Sequence, residues 1–201
     1  MMAGVEVLEP VFKIIKTKIM KPIITIALVS IIMLSFKQHL TTSIYNFHFK
    51  SLSNDSMISM SQYQGKKMLL VNMASESPFA AVQIPQLEQL YQQYKDSLVV
   101  IGFFSNDFSN EPREDNVLRL LMTNTYHSTF PASVRISVKD STGTTDALYN
   151  WLQHKSENGM MDVKVKRDFQ KYLVEKDGTL VGVFSGKVNP MDPQIINAIT
   201  Q

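Results

Sequence analysis

Residues 69–79, LLVNMASESPF, form a buried-strand pattern that runs into a turn just ahead of a helical pattern,. The reactive-type side chain in that turn is Ser77. A serine hydroxyl attacks only when a neighbouring base takes its proton, and the segment lacks the G-x-S-x-G elbow that presents such a serine. His39, His48, His127 and His154 stand in no motif that would set a ring beside it, and their spacing does not suit metal ligation,. The chain contains no cysteine. Thiolate attack, disulfides, thiolate metal sites and redox switching by this chain alone are therefore excluded, and cysteine content leaves the compartment open.

With 201 residues, 44% hydrophobic and 19% charged, the chain can bury one ordinary core and carry an appendage,. A net charge of +2 with scattered lysines gives no basic footprint, so no nucleic-acid partner is expected,. Among the methionines, Met33, Met68, Met73 and Met122 fall where apolar core or membrane residues belong,. Met160 and Met161 lie in a Gly- and Lys-rich loop and receive no role.

The compartment is read from residues 22–36, PIITIALVSIIMLSF, an uncharged run bracketed by Lys21 and Lys37 and preceded by Lys13, Lys16 and Lys18. The run is shorter than the roughly 20 residues a spanning helix prefers, although flanking lysines can snorkel. Three readings are open. A signal anchor with a cytoplasmic N-terminus fits the lysine asymmetry and puts the rest of the chain on the outer, periplasmic or extracytoplasmic, side. A cleaved signal peptide fits the length, without a small-x-small cleavage pattern in residues 34–43. A buried core helix fits least, given the bracketing lysines. Met20-Lys21 would also begin a compact signal sequence, leaving residues 1–19 as an overlong start. The expected organisation is a basic, amphipathic segment at 1–21, the hydrophobic helix at 22–36, a linker at 37–43 and one domain at 44–201.

Within that domain the patterns supply the elements that must hold the turn. Residues 44–49 alternate in strand fashion, and Ser53-Asn54-Asp55 supplies a turn before residues 57–60, predicting a hairpin. Residues 67–74 and 98–104 are apolar runs of the kind a sheet covered on both faces needs. Between them Ile84, Leu87, Leu90, Tyr91 and Tyr94 predict an amphipathic helix after Pro85, hence a right-handed crossover between parallel strands. Val117, Leu118, Leu121 and Met122 predict a helix capped by Asp115 or Asn116. Leu148, Tyr149, Trp151 and Leu152 predict a shorter one. Residues 169–174 and 179–184 flank the turn Lys176-Asp177-Gly178, and Asp192-Pro193 opens a final helix carrying Ile195, Ile196 and Ile199. The order predicts an α/β, thioredoxin-like central sheet flanked by helices.

The motifs along this order resemble those of the glutathione peroxidase family over about residues 44–199. Residues 44–47 look like its opening strand, and Ser59-Met60-Ser61-Gln62-Tyr63-Gln64-Gly65-Lys66 is similar to S-L-S-x-Y-x-G-K. Val71-Asn72-Met73-Ala74-Ser75 is similar to V-N-V-A-S. Leu87-Glu88-x-Leu90-Tyr91 follows, and Gly102-Phe103-Phe104-Ser105-Asn106-Asp107-Phe108 with Glu111-Pro112 resembles G-F-P-C-N-Q-F-G…E-P. Thr129-Phe130-Pro131, Leu148-Tyr149-x-Trp151-Leu152 and Phe169-x-Lys171-Tyr172-Leu173-Val174-x-x-x-Gly178 complete the series.

In that family a cysteine or selenocysteine does the chemistry, assisted by a glutamine and a tryptophan-asparagine pair. The resemblance places Ser77 at the nucleophile, Asp107 at the glutamine, and Arg167 and Asp168 at the pair. Pro78 stands where the family has glycine, and Ser105 where many members have a second cysteine. A serine has no sulfenic-acid cycle, so the resemblance implies the fold while the residues argue against its usual reaction. It also implies that Ser77, Asp107, Arg167 and Asp168 converge at one depression, a charge-paired patch in which the cation lowers the aspartate pKa values. Such a patch reads as a solvated salt-bridge cluster, a polar-ligand site, or a cation site using both aspartates and Ser77. No cofactor and no resident metal are expected. The expected function is that of a membrane-anchored, catalytically inactive binding or scaffold subunit with protein partners in an envelope assembly. Peroxide reduction in oxidative-stress response, as the family implies, and binding of a polar ligand are the alternatives.

Overall fold

The computed structural model describes residues 42–140 and 143–201. The expected basic segment and hydrophobic helix at 1–36 lie outside them. Among the described residues no helix is long and apolar enough to cross a membrane.

Two neighbouring runs build the centre. Strands β3 (Lys67–Met73) and β4 (Leu98–Phe104) are buried at every position and pair in parallel from Lys67↔Leu98 to Met73↔Phe104. Strand β6 (Lys171–Val174) pairs antiparallel with β3, and β7 (Leu180–Phe184) antiparallel with β6. The two-residue β5 (Ala132–Ser133) lies parallel to β4, giving the order β5-β4-β3-β6-β7. The expected N-terminal hairpin is present but shorter, with β1 (His48–Lys50) antiparallel to β2 (Met57–Ser59). Residues Ile44–Asn46 form a 3-10 turn instead of strand.

The unbroken apolar runs have a simple cause: successive side chains point to opposite faces, and both faces are covered. Leu69, Val71 and Met73 pack with Ile84, Leu87 and Leu90 of helix α1 (Ala80–Tyr94) and with Ile195 and Ile199 of α5 (Pro193–Thr200). Met68 and Leu70 pack on the other face with Leu148, Tyr149, Trp151 and Leu152 of α3 (Ala147–Gln153). Asp192 caps α5 through the Gln194 N–H at 2.9 Å, and Gly178 takes φ +90° in the β6-β7 turn.

Three element boundaries depart from expectation. Helix α1 begins ahead of Pro85, because the loop carbonyls of Ser77 and Phe79 accept the N–H groups of Ala80, Val82 and Gln83 and form the first turn. Helix α2 (Asp115–Leu120) is not capped by Asp115, whose Oδ1 accepts from the Arg135 N–H and Nε at 3.1 and 3.3 Å. It continues as a π-helical turn through Leu121–Thr125. A short α4 (Lys155–Asn158) follows α3 unforeseen.

Candidate functional site

The turn after β3 is pinned from below. Glu111 is fully buried and accepts from the Ser75 N–H (2.5 Å), the Ser75 hydroxyl (2.9 Å) and the Arg113 N–H (3.3 Å). Arg113 also donates to Ser75 Oγ and pairs with Glu76 at 2.9 Å. With the turn fixed, Ser77 sits at the threshold of α1, only 5% exposed, its carbonyl receiving the Ala80 N–H at 2.9 Å.

Facing it is the segment before β6, held by Asn72 near the end of β3. Asn72 donates through Nδ2 to the Arg167 carbonyl at 2.9 Å, and its own carbonyl accepts from the Phe169 N–H at 2.7 Å. Phe169 takes φ +60°, a left-handed conformation that costs a non-glycine residue about 1–2 kcal/mol,. Three contacts enforce it: the Asn72 bond, the Lys171 ammonium on its carbonyl at 2.8 Å, and an edge contact of its ring with Phe79 at 6.4 Å. Just ahead of it, Arg167 and Asp168 face opposite ways, one exposed and one buried.

Asp168 turns inward. It is 3% exposed, and its Oδ2 accepts from Asn110 Nδ2 at 2.6 Å. Burial raises its pKa, while Asn110, the Ser77 hydroxyl and the charge of Arg167 pull the other way. The expected lowering by the cation is present but outweighed, because the carboxyl lies deeper than its neighbours can compensate,. Ser77 stands close enough to favour the ionised form, yet no hydrogen bond of good geometry reaches Asp168 Oδ1.

Arg167 turns outward and lines a groove of ≈ 440 Å³ with Lys164, Lys166, Lys187 and Ser185. Among the described residues no ion pair joins it to either aspartate, so the expected charge-paired patch does not form. Asp107 is committed elsewhere: its Oδ2 accepts from the Val138 and Lys139 N–H groups at 2.6 and 2.7 Å and from Ser137 Oγ at 3.1 Å. Of the four expected residues, Ser77 and Asp168 meet, Arg167 adjoins them through the backbone, and the carboxylate of Asp107 organises a loop. Among the described residues no three or more His, Cys, Asp or Glu side chains come together as a metal site.

This arrangement offers a hydroxyl beside a carboxyl that burial pushes toward neutrality. No histidine among the described residues hydrogen-bonds to Ser77, so a triad is not formed,. Sequence reasoning missed Asn72, Asn110 and Glu111, whose roles depend on partners 36 to 95 residues away. The cationic groove had a visible signal in Lys164-x-Lys166-Arg167.

The glutathione peroxidase family model matches residues 44–153. The glutathione peroxidase-like peroxiredoxin 2 of Saccharomyces cerevisiae is 33% identical over 167 residues, covering 81% of this chain and all of that protein. The glutathione peroxidase homolog BsaA of Staphylococcus epidermidis is 32% identical over 74% of this chain and 92% of its own length. Among solved structures, that of Trgpx in apo form superposes with a TM-score of 0.58 at 32% identity, covering 80% of this chain and 97% of that one. A thiol:disulfide interchange protein of the thioredoxin family from Chlorobium tepidum, at 16% identity and TM-score 0.57 over 80% of this chain and 97% of its own, shares the fold.

Proposed function

Because the chain belongs to the glutathione peroxidase family and contains no cysteine, we propose that it is a membrane-anchored family member that binds partner proteins in an envelope assembly and does not itself reduce peroxide. The absence of any thiol carries this reading, since the family reaction passes through an oxidised sulfur or selenium that serine has no means to form. The surroundings of Ser77 support it. No histidine among the described residues hydrogen-bonds to its hydroxyl, and Arg167 turns outward, so neither a triad base nor a paired cation is set to activate it,. Residues 22–36 with their bracketing lysines are the proposed anchor, with the domain on the outer side,.

Release of the protein from its native membrane in mild detergent, with mass spectrometry of its N-terminus and of what co-elutes, tests the proposal. An intact N-terminus with a stoichiometric partner is expected. A cleaved, monomeric, freely soluble domain would overturn it. The names of the curated relatives favour a second reading, a peroxidase-type oxidoreductase using unusual residues. Peroxide turnover by the purified chain would establish that reading in its place.

A further inference from the structure

Strand β7 is an edge of the five-stranded sheet, and among the described residues its only strand neighbour is β6. Among the described residues no backbone hydrogen bond links residues 180–184 to anything beyond that ladder. Val181 is 44% exposed, and Gly182, Val183 and Phe184 are partly exposed. An open edge of this kind is a template for an added strand, and natural sheets usually blunt it with charge or cover.

The charge here is gathered in the groove that abuts β7. Val183 of β7 and Ser185 just beyond its end line one side; Lys164, Lys166, Arg167 and Gln170 of the segment before β6 line the other, and Lys187 follows Ser185. No acidic residue lines it. Lys164 pairs with Asp140 at 3.4 Å, while Lys166, Arg167 and Lys187 form no ion pair among the described residues. Like charges so placed repel one another, and an anionic occupant would relieve them.

Both walls are set before any ligand arrives. Gln170 accepts from the Lys166 N–H at 3.1 Å and donates to the Lys164 carbonyl at 3.2 Å, and Asn72 holds the Arg167 carbonyl. Opposite, Gln83 donates to the Gly186 carbonyl at 2.7 Å and Lys171 to that of Val188 at 2.8 Å. A Cβ at Gly186 would lie 2.1 Å from the Asp168 carbonyl oxygen, so the two walls touch at the one residue type that permits it,.

We propose that the β7 edge and the cationic groove beside it dock an extended, acidic segment of a partner protein as a sixth strand of the sheet. The segment's main chain pairs with β7, and its side chains on the groove face, alternate ones by the pleat, carry the carboxylates. An anionic lipid headgroup would use the cations and leave the strand edge idle, so the conjunction of edge and charge favours a polypeptide. This rests on the reading of the protein as a binding subunit and names the surface it uses.

The test is titration of a fluorescent octapeptide of alternating glutamate and valine into the full-length protein in detergent, with amide hydrogen exchange in parallel. The peptide should bind with a Kd below about 1 mM. It should slow exchange at amides of residues 180–184, and K166E/K187E, both exposed positions, should weaken it at least about tenfold with an unchanged melting curve. A lysine-valine octapeptide should not bind. Absence of binding, binding indifferent to K166E/K187E, or protection absent from β7 would overturn the proposal. Phosphatidylserine vesicles that bind through these lysines while the peptide does not would make the groove a lipid site instead. A native partner that co-purifies equally with K166E/K187E would overturn the docking surface and leave the binding-subunit reading standing.

Discussion

Lys171→Met should remove a specific slope from the pH dependence of stability. The Lys171 amine is wholly buried, and burial pushes its pKa from 10.5 down to about 7. Between those values the unfolded chain holds a proton that the folded chain has released, so stability of the parent rises with pH there and is flat below about 7 as far as this group is concerned,. The slope is at most about 1.4 kcal/mol per pH unit, so from pH 7 to pH 9 the parent should gain about 2–3 kcal/mol relative to the variant. At pH 6 the two should lie within about 2 kcal/mol of each other. The variant leaves Gln83 Oε1 and the carbonyls of Phe169 and Val188, now at 2.6, 2.8 and 2.8 Å, without a donor, and that loss offsets relief of the buried charge. Urea unfolding followed by Trp151 fluorescence at pH 6, 7, 8 and 9 measures this, since Trp151 is buried and is the single tryptophan of the chain. A parent-variant difference that stays constant over that range would refute the reasoning. It would mean that the three acceptors hold the ammonium charged against burial.

Ser77→Cys should not create a peroxidase: the new thiol would have no histidine or paired cation beside it to stabilise a thiolate, because Arg167 turns outward, so peroxide consumption with glutathione should equal that of the parent,. Asp107→Ala should cost about 2–3 kcal/mol in urea unfolding through three lost hydrogen bonds to 137–139, and it should leave octapeptide binding at the groove unchanged,. Gly186→Ala should cost about 1–3 kcal/mol, because its Cβ meets the Asp168 backbone carbonyl at 2.1 Å and backbone has to move; a melting curve equal to the parent's would show the walls to be pliable,.

The parts of the fold legible in the sequence are those where one local cause decides. The runs at 67–73 and 98–104 are apolar because both sheet faces are covered, and Asp192 and Gly178 satisfy local cap and turn requirements,. Legibility fails where a distant partner competes. Asp115 looks like a cap, but Arg135, twenty residues on, takes its carboxylate. Pro85 looks like a helix start, but loop carbonyls begin α1 earlier. Strand β5 is too short to show a period at all.

The site divides in the same way. The positions of Ser77, Arg167 and Asp168 follow from motif order, yet the contacts that hold the segment, Asn72 on the Arg167 carbonyl and Asn110 on the Asp168 carboxyl, come from residues far away in the sequence. Asp107 was placed among them by resemblance. A carboxylate prefers backbone N–H donors where a loop supplies them, and the loop at 137–139 does,.

Peroxide consumption by the purified full-length chain, with glutathione or a dithiol as reductant and Ser77→Ala beside it, tests the central claim most directly. The account predicts a rate no higher than buffer for both proteins. Turnover by the parent that Ser77→Ala abolishes would contradict it and make this chain a working peroxidase without a thiol.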